Sequence, residues 1–411
     1  MLDVHFVNPS AAQKLRTTLL GPWLDSFDDH LSNLGYPLGS RITYVRLTAD
    51  LGRWMADQEL PVEELNESAI DEYVDQRKTQ RDRRRAPALH LLAHLRSEGV
   101  VPPHRVVPDR SHIAPHCSCY AKYMRQVRGA AEGTVEGYVS VVRCFLAGRF
   151  GTGPVDLAVI TATDINGFLV QRAGKLSPRR VDYLATALRS FLRFLFVRKE
   201  TPTDLSTAAP GSLTRHLASV PRYISPAEIE GLLDTCDSTT AGGMRNLAIL
   251  VLLARLGLRA SEVAKLEFDD IRWRSGEIVI RGKGDVVDRL PLLYEVGEAL
   301  AKYLLNGRPK CSSPRLFLRL CAPIRELGGR EAVSGVVRTA IKRAGLNPPV
   351  QGAHLLRHSL GTQMIRAGAS ISEIGEVLRH HSHRSTEIYA KVDFEALRTI
   401  AQPWPVAGES R

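Results

Sequence analysis

Cysteine is scarce, with six residues in 411. They are scattered, which argues against a disulfide framework and fits a reducing cytoplasm. Long apolar runs are missing. The best stretch, RNLAILVLLARLGLRASEVAKL, is interrupted by Arg255 and Arg259, so no membrane span is expected. The opening MLDVHFVNPS lacks a basic segment followed by an apolar one, the mark of a secretory signal. Acidic charge falls short of basic: 55 Lys and Arg face 44 Asp and Glu, giving +11 and a pI near 9.5. That balance favours a polyanionic partner over an acidic-surface one. His112, His116, Cys117 and Cys119 cluster, but their spacing fits no common pair of ligand knuckles, so no metal is expected there.

At this length two to three domains are expected. Residues 1–100 show helical spacing through Leu15, Leu19, Trp23, Phe27, Leu31 and Leu34, with Gly21-Pro22 bending or splitting the element. Further helical patterns run through Leu47, Leu51 and Trp54, then Leu65, Ile70, Tyr73 and Val74. The basic run Arg77 to Pro87 reads equally as a solvated linker or as phosphate contact. After a Pro-rich linker, residues 115–205 repeat the layout weakly. Leu47, Leu51 and Trp54 correspond to Tyr138, Val142 and Phe145, and IDEYVDQR to INGFLVQR, as a tandem duplication would give. A second linker, rich in Pro, Ser and Thr, leads to a C-terminal domain over 221–411. Its first helix is opened by a Ser225–Glu228 capping box.

The chemistry gathers in that last domain. NLAILVLLARL is an apolar helix closed by Gly257, so Arg259 sits at the N-terminus of the next helix, with Glu262 three residues on to orient it. GEIVIRGKGDVVDRLPL reads as a β-hairpin with Lys283 at its tip, and a lysine there could protonate a leaving oxygen. GAHLLRHSLGTQMIRAGASISEIGEVLRHHSHRSTEIY then puts His354 and Arg357 on one helical face. A Ser370–Glu373 capping box opens a helix carrying Ile371, Ile374, Val377 and Leu378; it ends near His380, nine residues before Tyr389. His358 reads as packing or as a support behind the catalytic groups, directed away from His354. Cations, imidazoles and a phenol suit attack of tyrosine on a phosphodiester, with basic groups holding the phosphate.

In order, spacing and context, LLARLGLRASEVAKL, GKG, HLLRHSLGTQMIRAG and LRHHSHRSTEIYAKV resemble the tyrosine recombinase, or phage integrase, family, most firmly over Pro221 to Trp404. The extra N-terminal module and the ending KVDFEALRTIAQPWP are similar to integrases of transposons and other mobile elements. The resemblance implies a mainly α chain: helical core-binding (SAM-like) modules followed by an α+β catalytic domain with a small sheet. It implies that Tyr389 forms a 3′-phosphotyrosyl link, that Arg259 and Arg357 clamp the phosphate, and that Lys283 is the general acid. His354 would assist proton transfer, His380 would hydrogen-bond the phosphate, and Glu262 would support Arg259. No metal or nucleotide cofactor is implied. The implied partners are double-stranded recombination sites, a homotetramer on two duplexes, and co-encoded recombinases or DNA-bending proteins. The apolar stripe of the tail, Phe394, Leu397 and Ile400, would pack on its own domain by its pattern alone, whereas the resemblance implies that it docks in a neighbouring protomer. One departure stands out: a small residue commonly precedes the histidine at 380, and here it is Arg379. A type IB topoisomerase-like enzyme and a non-catalytic DNA-binding protein are the alternatives. Relaxation without site pairing would mark the first, and loss of a catalytic residue the second.

Overall fold

The computed structural model describes residues 9–76, 81–103, 109–209, 221–282, 286–380 and 386–392. Lys283 and the tail residues Phe394, Leu397 and Ile400 lie outside the described residues. The chain divides into two compact units, one made of residues 1–105 with 220–411 and the other of residues 106–219.

The first unit begins with α1 (Pro9–Arg16), α2 (Leu24–Asn33), α3 (Leu38–Asp57), α4 (Glu67–Gln76) and α5 (Arg81–Ser97). Gly21-Pro22 does split the first pattern, into α1 and a 3-10 turn, Gly21–Trp23, ahead of α2. Pro is tolerated there because the first turn of a helix has no partner for its missing N–H. Phe27, Leu31, Leu51, Trp54, Ile70 and Tyr73 are buried in one cluster. Leu19 falls in the turn beyond α1, loses the helical register, and is exposed. Within the basic run, Arg84 bonds Asp50 and donates to the Tyr73 hydroxyl at 2.9 Å, and Arg85 pairs with Asp71 at 2.8 Å. Those two arginines hold α5 against α3 and α4.

The second unit holds α6 (Ala114–Gln126), α7 (Glu132–Phe150), α8 (Ala162–Ala173) and α9 (Pro178–Val197). Its core includes Tyr120, Val142, Phe145, Ile165 and Phe191. The order of a long helix, a 3-10 turn and two further helices occurs twice: α3, Val62–Glu64, α4, α5, and α7, Leu157–Val159, α8, α9. Cys117 is buried, His112 is exposed, and His116 and Cys119 are half-buried, because helical rotation sends residues 117 and 119 to different faces. Among the described residues, no group of three or more His, Cys, Asp or Glu is placed to hold a metal.

The C-terminal part of the first unit contains α10 (Pro226–Asp234), α11 (Ala241–Arg255), α12 (Ala260–Lys265), β1 (Ile271–Arg272), β2 (Glu277–Arg281), β3 (Val287–Pro291) and α13 (Tyr294–Lys302). They are followed by α14 (Gly329–Arg343), α15 (Ala353–Arg366), α16 (Ile371–Val377) and a 3-10 turn, Glu387–Val392. The sheet is antiparallel in the order β1-β2-β3, and Arg281 pairs with Val287 across the hairpin. The chain is thus mainly helical with one small sheet. Helix α11 is buried from Ala248 through Ala254 and forms the centre of this core. A helix apolar on nearly every side must be surrounded. Both expected capping boxes are formed, at Ser225–Glu228 and Ser370–Glu373. The stripe of α16 is narrower than expected. Ile374 and Leu378 are buried, whereas Ile371 and Val377 are 37% and 39% exposed. A helix of seven residues presents one i, i+4 face, not two. No helix among the described residues is long and apolar enough to cross a membrane.

Gly257 ends α11 with φ 57°, and a Cβ there would lie 2.7 Å from Leu378 Cδ2. Both the left-handed backbone and the close approach require glycine. Gly257→Ala is expected to destabilise the fold by about 1–3 kcal/mol, seen as a lower urea midpoint. An unchanged midpoint would show that the turn relaxes freely.

Candidate active site

Arg259 is the N-cap of α12 and Glu262 its third residue, so the carboxylate folds back on the helix start. Glu262 accepts from the Arg259 backbone N–H at 2.8 Å and from its guanidinium at 2.7 Å. The sequence leaves open an exposed, weak i, i+3 pair. The structure instead buries Glu262 to 5% exposure and adds a second cation: Arg379 Nη2 donates to Glu262 Oε2 at 2.8 Å. Burial is the largest influence on this carboxyl and would raise it. The Arg259 N–H, the Arg379 charge and the Arg259 guanidinium together outweigh burial and hold it below the usual carboxylate range. Arg259 Nη2 also donates to the Arg379 carbonyl at 3.1 Å.

Arg357 lies inside α15, 3% exposed. Its guanidinium donates to the carbonyls of Gly257 and Leu378, tying the end of α11 to the end of α16. Burial, then repulsion from Arg259 and Arg379, lowers its pKa to about 10, so it remains a cation at neutral pH. His354, one turn earlier, reaches solvent. Desolvation and then the charges of Arg357 and Arg259 lower its pKa nonetheless.

Tyr389 is fully buried on the turn Glu387–Val392, packed with Ile365, Ile374 and Leu378. Gly361 makes room for it: a Cβ there would fall 2.5 Å from the phenol Cζ. The hydroxyl lies 3.0 Å from His358 Nδ1. His358, read from the sequence as packing or support and as directed away from His354, is the imidazole that meets the phenol, and its ring centroid lies 6.2 Å from that of His354 because residues four apart share a helix face. Its position, one residue beyond Arg357, turns it about 100° round the helix toward Gly361 and Tyr389. The signal available was the i, i+3 pairing of a histidine with a glycine. His380 stacks beside the same ring, with centroids 6.4 Å apart and planes at 8°, and its Nδ1 lies 2.8 Å from Thr386 Oγ1. Arg259, Glu262, Arg357, His354, His380 and Tyr389 are thus gathered in one region. The sequence reading names His358 and Arg379 but gives the first no contact with Tyr389 and the second no partner in Glu262.

Beyond α12 a cavity of about 1100 Å³ is lined by Arg245, Lys265, Arg315, Arg319, Arg325 and Arg330. Its basic lining comes from separate elements, so no charge run in the sequence announces it.

Desolvation pushes Tyr389 up to about 12, against the pull of Arg357, so the phenol is neutral at physiological pH. His358 and His380 fall to about 4, first through burial and then through neighbouring positive groups. An unfolded histidine titrates near 6.5, so between about pH 6.5 and 4 the unfolded chain binds the extra protons. The stability from keeping these rings neutral is present above pH 6.5 and is lost as pH falls toward 4. The urea midpoint is expected to drop across that window, and His358→Gln to drop less steeply. Equal slopes for both proteins would contradict this assignment.

Residues 222–396 match the Phage integrase family. The protein named as an integrase/recombinase, y4rA, of Sinorhizobium fredii (strain NBRC 101917 / NGR234) is 40% identical over 98% of this chain and 98% of its own. The XerH site-specific recombinase bound to palindromic difH substrate, a post-cleavage complex, shares the fold with TM-score 0.54 and 21% identity, over 69% of this chain and 83% of that one. The Tn1549 transposon integrase in complex with a circular intermediate DNA matches with TM-score 0.53 and 17% identity, over 70% of this chain and 99% of that one. With 40% identity sustained along nearly the whole of y4rA, the chain belongs to the phage integrase family, the tyrosine recombinases, and is an enzyme that breaks and rejoins DNA strands.

Proposed function

We propose that this chain is a site-specific recombinase of a mobile element, acting through a 3′-phosphotyrosyl intermediate. The observation that carries the reading is the Tyr389 hydroxyl 3.0 Å from His358, in a region that also holds Arg259, Arg357 and His380. The Tyr389 oxygen attacks the scissile phosphorus. Its proton passes to His358, which burial keeps neutral and whose basicity the incoming anionic phosphate raises. Arg259 and Arg357 hold the non-bridging oxygens, where fork geometry suits phosphate. The Arg357 contacts to two carbonyls fix that cation before DNA arrives. His380 donates to the phosphate, and His354 assists proton transfer at the mouth of the site. Lys283 protonates the departing 5′-oxygen. The new P–O bond to tyrosine replaces the broken one, so no external energy is consumed, and a 5′-hydroxyl from another duplex reverses the step.

Double-stranded DNA is the partner we assign. Support comes from the net charge of +11 and from the basic cavity beside α12. Assembly as a homotetramer on two duplexes, with the tail from residue 393 docking in a neighbour, is part of the same proposal. So are assignment of residues 1–100 and 115–205 as DNA-binding modules, the second the core-binding domain, and a cytoplasmic location. Co-encoded recombinases or DNA-bending proteins complete the expected partners.

The test uses a nicked suicide duplex carrying the binding site, which is first selected from a random DNA pool. Wild type is expected to form an SDS-resistant adduct, and Tyr389→Phe to bind equally well without one. An adduct in Tyr389→Phe would overturn the nucleophile. Lys283→Ala is expected to cleave at least about a hundredfold more slowly. A 5′-bridging phosphorothiolate should restore most of that rate, because sulfur leaves without a proton. Absence of selective rescue would remove Lys283 as the acid.

A further inference from the structure

Arg379 occupies a backbone position that side chains avoid. Its φ is 53°, where glycine is at ease and an L residue is strained. Its side chain is 4% exposed, and a cation is seldom buried unless something holds it there. Three groups do. Nη2 donates to Glu262 Oε2 at 2.8 Å, Nη1 donates to the Val377 carbonyl at 3.3 Å, and Nε lies 3.8 Å from Asp288 Oδ2 on β3, the outgoing strand of the β2–β3 hairpin. The other oxygen of Glu262 holds the Arg259 guanidinium, and the Arg379 carbonyl accepts from Arg259 Nη2 at 3.1 Å. Arg379 therefore reaches Arg259 by two routes, one through its side chain and Glu262, the other through its own backbone. Arg259 keeps 31% of its side chain exposed, so of the two arginines it is the one open to a ligand.

We propose that Arg379 is a positioning residue for phosphate clamping: through Glu262 and its own carbonyl it fixes the angle at which the Arg259 guanidinium meets the scissile phosphate. It does not touch DNA. The strained backbone at residue 379 is the local cost of bringing side chain and carbonyl to the same neighbour. The salt bridge to Asp288 extends the same constraint to the hairpin. This inference rests on the role given above to Arg259.

The complete protein with Arg379→Gly tests it, since glycine relaxes the backbone while removing the side chain. Cleavage is measured on two nicked duplexes, one with an ordinary scissile phosphate and one with a methylphosphonate, whose methyl group removes the negative charge. On phosphate, Arg379→Gly is expected to bind DNA within about twofold of wild type but to cleave at least about tenfold more slowly, because a misplaced group costs rate and not affinity. On methylphosphonate no anionic oxygen requires the clamp, and the difference from wild type should vanish. Adding Glu262→Gln should slow Arg379→Gly no further, because both act through Arg259. An equal deficit on both substrates, additive effects, or no deficit would overturn the proposal. If Arg379→Gly lacks a cooperative melting transition, Arg379→Lys carries the same comparison. It keeps the charge but lacks the fork that meets Glu262 and Asp288 together. Arg259→Ala separates the two levels: without rescue on methylphosphonate the clamp itself is wrong, whereas rescue of Arg259→Ala but not of Arg379→Gly refutes only the positioning role.

Discussion

The carboxylate of Glu262, buried between Arg259 and Arg379, is the constraint on which the rest of the site depends. An isolated charge in the interior is strongly unfavourable, and breaking such a pair leaves an uncompensated ion. Each arm of the network comes from a different element: Glu262 from α12, Arg259 from the turn before it, and Arg379 from the turn after α16. The pairing therefore fixes where those turns lie. Arg357 adds a fourth charge and is satisfied by carbonyls in place of a carboxylate. Three guanidinium groups thus gather around one buried carboxylate, with Asp288 at a longer 3.8 Å. A region with more fixed positive than negative charge is suited to an incoming anion, and donors held before the anion arrives need little reorganisation when it does.

The nucleophile is governed by a different force. Tyr389 packs as a core residue, among Ile365, Ile374 and Leu378 and over Gly361. Burial keeps its phenol neutral, and burial equally keeps His358 and His380 neutral. The acid is thus held protonated and the base unprotonated by the same desolvation, with proton transfer left to the moment when phosphate joins the site.

Much of this was legible in the sequence because it is local. The capping boxes at Ser225 and Ser370, the break at Gly21-Pro22, the apolar α11 and the hairpin each follow from residues a few positions apart. So does the Arg259–Glu262 contact. What was not legible depends on elements far apart in sequence. Nothing local reveals that Glu262 is buried, because its second partner lies 117 residues away. The left-handed φ of Arg379 is invisible for the same reason: tertiary pairing overrides the local preference. His358 shares a helix face with His354, four residues back, but its contact with the phenol depends on the return of Tyr389 over Gly361, 31 residues on. Leu19, Ile371 and Val377 fail in the opposite direction. Each fits an apolar stripe whose helix stops too soon to bury it.

The central claim is that Tyr389 becomes covalently bound to DNA in this setting of cations. The most direct measurement is protease digestion of the trapped protein–DNA complex, followed by mass spectrometry of the nucleotide-bearing peptide. The account predicts one modified peptide, with the added nucleotide mass on Tyr389. A nucleotide on any other residue of a cleaved complex would contradict it.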